Sequence, residues 1–140
     1  MRTNNKYDIV FLDAFSSQKD PVLWTIDFLK LIKDKMKQNS VLLSYSKSTP
    51  FRSALFELGF CVGKTFIDEK DMGTIASFNP DNIKYVLDDY DYQLIKTRSG
   101  ITYKDKNLDL SANDILKQRA AEQKNSNLIS CTQFLKQNSV

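Results

Sequence analysis

Histidine does not occur in this 140-residue chain, glycine occurs four times, proline three times, cysteine twice and tryptophan once. Each shortage removes a class of function. Without imidazole there is no Ser-His-Asp or Cys-His triad and no histidine proton shuttle. Cys61 and Cys131 are far apart with no Cys-x-x-Cys spacing, so zinc sites are excluded and no metal is expected. Gly59, Gly63, Gly73 and Gly100 form no Gly-x-Gly-x-x-Gly, so the Gly-rich turn of a dinucleotide-type cofactor site is missing from these residues. No run reaches the ~18 apolar residues that a membrane crossing needs. The start, Met1-Arg2-Thr3-Asn4-Asn5-Lys6, lacks the apolar stretch of a signal peptide, so a cytoplasmic chain is expected. Any chemistry must then use carboxylates, hydroxyls, amines or an external cofactor.

What is present suits one globular unit. The residues are 41% hydrophobic and 26% charged, a balance that supports a core, and the length allows one domain but not a second one for a cofactor. The net charge of +3 is unevenly spread: residues 1–92 hold 12 Lys and Arg against 13 Asp and Glu, residues 93–140 hold 8 against 4. The basic surplus could track the phosphates of a nucleic acid or form an ordinary solvated surface.

The pattern along the chain alternates. Tyr7-Asp8-Ile9-Val10-Phe11-Leu12 reads as a buried strand entering a polar loop at Asp13. Apolar Leu23, Ile26, Leu29, Ile32 and Met36 recur at helical spacing and predict a helix over 22–37, with Pro21 in its first turn and Asp20 as its cap. Val41 to Ser46 reads as a second strand, and Ser48-Thr49-Pro50 opens a second helix closed by Gly59. Two further strands, 60–66 and 72–78, are joined too tightly for a parallel crossover and predict an antiparallel hairpin. Ser111 caps a last helix to about Lys124, and the final residues are expected to fray. The expected fold is α/β, a β-α-β-α unit followed by a hairpin at the end of a mixed sheet. Residues 1–92 form its partial domain and 93–140 a basic extension with one helix and a frayed end.

Ligands of open α/β sheets bind beyond the carboxyl ends of the strands, which directs attention to residues 13–17 and 44–49. Asp13 directly follows a buried strand, where its carboxylate either faces a cleft or merely caps the loop. Ala14, Phe15 and Ser16 add carbonyls, an aromatic face and a hydroxyl in the same turn.

The run Phe11-Leu12-Asp13-Ala14-Phe15, followed in register by Lys19-Asp20-Pro21-Val22-Leu23-Trp24, resembles the strand-loop-helix signature of the MnmC-type methyltransferase family. The strand at 41–46, the Arg-bearing helix start Ser48-Thr49-Pro50-Phe51-Arg52 and the Leu58-Gly59-Phe60 turn are similar to that family's next elements. A looser likeness extends through 98–108, so the resemblance covers about residues 6–120 in all. It implies an S-adenosylmethionine-dependent enzyme that methylates the aminomethyl group on the wobble uridine of certain tRNAs. On that resemblance Asp13 and Phe15 are the catalytic candidates: Asp13 accepts a hydrogen bond and then a proton from the amine, and Phe15 packs on the uracil or near the cationic methyl group. Ala14 and Ser16 complete the amine-holding turn. Arg52 and Lys47 are candidates for tRNA phosphate contacts or plain surface charge, Tyr45 lines the acceptor pocket or packs in the core, and Trp24 reads as a packing residue.

The family's first half, with its Gly-rich loop and ribose-binding acid, has no counterpart in these residues. The expectation is therefore the carboxyl half of a Rossmann-like class I methyltransferase, inactive or nearly so alone, with Asp13 the one candidate for touching cofactor. A complementary chain or a second copy would cover the apolar strand edge at 7–12. The alternative is a non-catalytic, dimerising or RNA- or partner-binding α/β module.

Overall fold

The computed structural model describes residues 5–14 and 16–138. The first apolar run forms strand β1 (Tyr7–Phe11), and the helical periodicity behind it divides into a 3-10 turn, Val22–Trp24, and helix α1 (Ile26–Asp34). Pro21 opens the turn rather than the helix, with Asp20 accepting from the Val22 amide at 3.4 Å. Thr25 then interrupts the turn with an extended backbone, and its Oγ1 accepts from the Phe28 amide at 3.1 Å as the cap of α1. At the other end Met36 belongs to strand β2 (Met36–Ser44), paired with Tyr7. The expected helix over 22–37 is thus shorter at both ends, because Trp24, Ile32 and Met36 enter one core from three different elements.

Helix α2 (Thr49–Glu57) carries Pro50 in its first turn and ends before Gly59, whose φ of 92° suits the left-handed residue after a helix. Strands β3 (Cys61–Ile67) and β4 (Lys70–Ser77) follow, joined through Asp68 and Glu69 at φ 50° and 66°, both left-handed as a two-residue hairpin turn requires. The sheet is completed by β5 (Tyr85–Val86) and has the order β1-β2-β4-β3-β5. β1 and β2 are parallel, while β4 is antiparallel to both β2 and β3. The expected hairpin is present, and its second strand lies between β2 and β3, so those two strands run in the same direction on either side of it.

One row of side chains crosses the sheet in register: Val10, Leu42, Ala76 and Val62. Leu29 and Ile32 of α1, and Phe51, Ala54 and Leu55 of α2, join the same core as this row. The neighbouring row on the opposite face, Phe11, Leu43 and Ile75, lies outside that core, with Phe11 69% exposed.

Residues 93–140 hold two helices among the described residues, α4 (Ala112–Asn125) and α5 (Cys131–Asn138), not one helix and a frayed end. Phe134 is buried and its ring lies 5.5 Å from that of Tyr90, which orders the second helix. Tyr103 and Ile115 enter the main core, and the Tyr103 carbonyl accepts from the Ile26 amide at 2.9 Å. Ser111 caps α4 as its spacing predicts, accepting from the Asp114 amide at 3.1 Å.

Helix α3 (Asp89–Ile95) starts in a reciprocal capping box. Asp88 accepts from the Asp91 amide at 2.9 Å, and Asp91 accepts from the Asp88 amide at 3.2 Å. The hydrogen bond from the Asp91 amide, helped by Lys64, holds the Asp88 carboxyl below the ordinary carboxylate range. Replacing Asp88 with Ala is expected to cost about 1 kcal/mol at neutral pH, as cap deletions do. Since the folded pKa is the lower one, that contribution is complete above the ordinary carboxylate range and disappears as pH falls through the depressed value. Denaturant unfolding of wild type and Asp88→Ala should therefore converge in acid; a gap independent of pH would mean that the carboxylate is not what caps α3.

Candidate active site

The ladder between β1 and β2 ends with the Leu12 amide donating to the Leu43 carbonyl at 2.9 Å, and Leu12 itself is buried. Asp13 is the first residue beyond that bond, so it leaves the sheet beside the end of β2 at Ser44. Ser16 closes its loop by accepting from the amides of Lys19 and Asp20, both at 2.9 Å. Opposite, the 44–48 loop folds on its own hydroxyls: the Ser46 amide donates to Ser44 Oγ at 3.1 Å and the Ser48 amide to Ser46 Oγ at 3.3 Å.

Between the two loops lies a cleft of about 530 Å³. Asp13, Ala14, Ser16, Ser17 and Gln18 form one wall, Ser44 to Ser48 the other, with Leu12 and Trp24 at the base. Asp13 is exposed, and no hydrogen bond or ion pair engages its carboxylate among the described residues. A smaller cavity of about 190 Å³, on the side of Phe11, Leu43, Ile67 and Met72, is also bordered by Asp13, Ser44 and Tyr45. One carboxylate and one aromatic ring thus border both spaces.

The structure brings together Asp13, Ala14, Ser16, Tyr45 and Lys47, all on the larger cleft. Phe15 lies outside the described residues. Tyr45 is not core: it stands one residue past β2, where strand alternation no longer applies, and is 73% exposed. Lys47 is exposed and donates to the Asp71 carbonyl at 3.4 Å. Arg52 needs correction, because a phosphate contact requires an accessible guanidinium and this one is 6% exposed. Its Nε donates to Thr74 Oγ1 at 2.9 Å and its Nη2 to the Gly73 carbonyl at 3.0 Å. Asp71 and Asp91 lie 3.7 and 3.9 Å away as counter-charges. Trp24 is a packing residue, with its ring edge-on to Phe51 at a centroid distance of 5.0 Å.

Sequence reasoning missed Thr74 and Gly73 behind the 44–48 loop. The available signal was a lone glycine inside a strand, which marks close backbone approach. A Cβ at Gly73 would lie 2.1 Å from the Ser44 carbonyl oxygen.

A cleft at the carboxyl ends of parallel strands in a mixed α/β sheet is where enzymes of this architecture bind their ligands. Residues 1–79 match the family described as S-adenosyl-L-methionine-dependent methyltransferase. The chain belongs to that family, and its sheet and helices are those of the carboxyl half of a class I methyltransferase fold. It is 38% identical over 121 residues to MJ0670, an uncharacterised protein of Methanocaldococcus jannaschii; the match takes in 85% of this chain and 34% of that protein. It is similar to the crystal structure of MNMC2 from Aquifex aeolicus, with a TM-score of 0.79 and 33% identity, over 88% of this chain and 40% of that one. The chain therefore spans about a third of its curated relative.

The glycines give the fit to the family's cofactor. Gly59 follows α2, Gly63 and Gly73 are inside β3 and β4, and Gly100 lies in a 3-10 turn. None belongs to a Gly-rich turn after a strand, and none lines the larger cleft. Among the described residues no helix is long and apolar enough to cross a membrane.

Trp24 and Asp13 should separate on substitution. Trp24→Ala is expected to cost about 3–5 kcal/mol of stability, and exposed Asp13→Ala no more than about 0.5 kcal/mol. Urea unfolding of both variants measures this; a large loss for Asp13→Ala would make it a structural residue.

Proposed function

We propose that this chain is the acceptor side of a cytoplasmic S-adenosylmethionine-dependent methyltransferase acting on the aminomethyl group of wobble uridine in tRNA. The observation that carries the reading is the Asp13 carboxylate just past the end of β1, on the larger cleft and unengaged among the described residues. The cofactor, when bound, supplies an electrophilic methyl group on sulfur. Asp13 accepts a hydrogen bond from the amine, which orients its lone pair, and takes the proton released on methylation. Ala14 and Ser16 shape the turn around the amine, Tyr45 offers an aromatic wall for the base, and exposed Lys47 meets a tRNA phosphate. The likeness to MNMC2 supports the substrate class.

The cofactor cradle is assigned to residues outside these 140, and the isolated chain to a state inactive or nearly so. Its partner is a polypeptide that carries the first half of the sheet, in the same protein or another; a second copy is the other way to cover the edge. Among the described residues β1 is paired on one side only, and Ile9 at 54% exposure and Phe11 at 69% stand bare on the face opposite the core.

Calorimetric titration of the isolated chain with S-adenosylmethionine, with its mass measured on the same sample, is expected to show no saturable binding. One-site micromolar binding would defeat the half-domain reading. In an enzyme containing the complete sheet, Asp13→Asn should lower kcat for tRNA methylation by roughly 10²–10⁴ with little change in KM for tRNA. An unchanged kcat would remove Asp13 from the chemistry.

A further inference from the structure

The wall that faces Asp13 is held from behind by a buried charge. Arg52, on α2, places its Nε–H on Thr74 Oγ1 at 2.9 Å, and the same hydroxyl donates to the Ser46 carbonyl at 2.6 Å. A threonine hydroxyl has one proton to give. Because the guanidinium cannot accept and already donates to that oxygen, the proton is directed onto Ser46, and each bond polarises the other. Arg52 is fixed in turn by the Gly73 carbonyl, Asp71 and Asp91, and Asp91 also pairs with Lys64 at 2.8 Å. An apolar side chain of similar volume could fill this space without the cost of burying charge. What such a residue could not do is dictate the direction of the Thr74 hydroxyl.

We propose that Arg52 is a positioning residue of the cleft, which through Thr74 fixes the Ser46 carbonyl and so sets where Tyr45 and Lys47 stand relative to Asp13. Ser46 is the middle residue of the 44–48 loop, and its amide is already tied to Ser44 Oγ. On the other side of the loop Gly73 approaches the Ser44 carbonyl too closely for any side chain. With both its amide and its carbonyl held, Ser46 leaves the backbone of Tyr45 little freedom, and the exposed ring becomes a preorganised wall rather than a mobile one. The use of that wall for an amine-bearing base rests on the reading given above; the relay itself does not.

Three variants test it. Thr74→Val keeps the shape and deletes the hydroxyl, Thr74→Ser restores the hydroxyl, and Arg52→Lys keeps the charge but loses the planar fork. Amide hydrogen exchange on the chain should be about tenfold faster at Ser46 and Ser48 in Thr74→Val, with the β3 amides unchanged, and should return to wild type in Thr74→Ser. Arg52→Lys should reproduce the Thr74→Val pattern and serves as the test if the valine variant fails to fold. Titrated with the nucleoside 5-aminomethyluridine and followed by NMR, Thr74→Val should bind about tenfold more weakly than wild type, and Thr74→Ser equally well. If wild type does not bind the nucleoside, the acceptor reading fails while exchange at Ser46 still decides the relay. Unchanged exchange in Thr74→Val and Arg52→Lys, or faster exchange across the whole sheet that Thr74→Ser does not rescue, would overturn it.

Discussion

The candidate site depends on one strand that runs against its neighbours. With only Asp68 and Glu69 between them, β3 and β4 must be antiparallel, while β3 itself arrives by way of α2 in the direction of β2. The sheet accommodates both demands by placing β4 between β2 and β3. Thr74 thereby comes into register with Ser44, the last residue of β2, and Gly73 against the backbone where the chain leaves the sheet. Because α2 must pass over β4 to reach β3, its first turns lie above Thr74, within reach of an arginine. The loop that leads into α2 and the strand that supports the loop are thus set by a single topological choice.

The strand and helix order was legible in the sequence because each element carries its own period and its own stops: Pro50 and Gly59 around α2, Ser111 at the start of α4, the tight 68–71 turn within the hairpin. Boundaries were less legible where two elements share a core. Ile32 and Met36 are four residues apart and both buried, a helical spacing, yet one is in α1 and the other in β2. The short elements after Pro80 have no such period. α3 is specified by a capping box of two aspartates within an acidic cluster, a pattern that reads locally as solvated charge.

Site residues divide the same way. Asp13 and its turn could be placed from local order alone, since a polar residue directly after an apolar strand has only the strand end to occupy; the strand itself, read as buried, is exposed at four of its five residues. Tyr45 and Arg52 came out reversed in burial. Tyr45 counts as strand by composition but stands one step beyond the ladder; Arg52 counts as surface by charge but is on a helix buried on nearly every side, where Phe51, Arg52, Ser53, Ala54 and Leu55 are all inaccessible. The groups that make burial of a guanidinium tolerable, Gly73 and Thr74, are 21 and 22 residues away along the chain. No local window contains them, and a charge is buried only where such partners exist.

A strand with a parallel neighbour is normally buried on both faces. β1 and β2 bury only the face that carries Val10 and Leu42, while Phe11 and Leu43 on the other lead to the smaller cavity that Asp13 and Tyr45 also border. Asp13 therefore stands where a hydroxyl-lined cleft and an open apolar surface meet. Group transfer joins two molecules that must enter separately and meet with their reacting atoms in line. On the proposed function, a carboxylate shared by two cavities on different sides of a strand end suits that meeting, the hydroxyl-rich cleft being assigned to the amine and the approach from the bare face to its co-reactant. The relatives that match this chain are two to three times as long, which supports the reading that the bare face is an internal surface of a larger enzyme. On that reading the feature that makes the isolated sheet incomplete is also the one that admits the second reactant to Asp13.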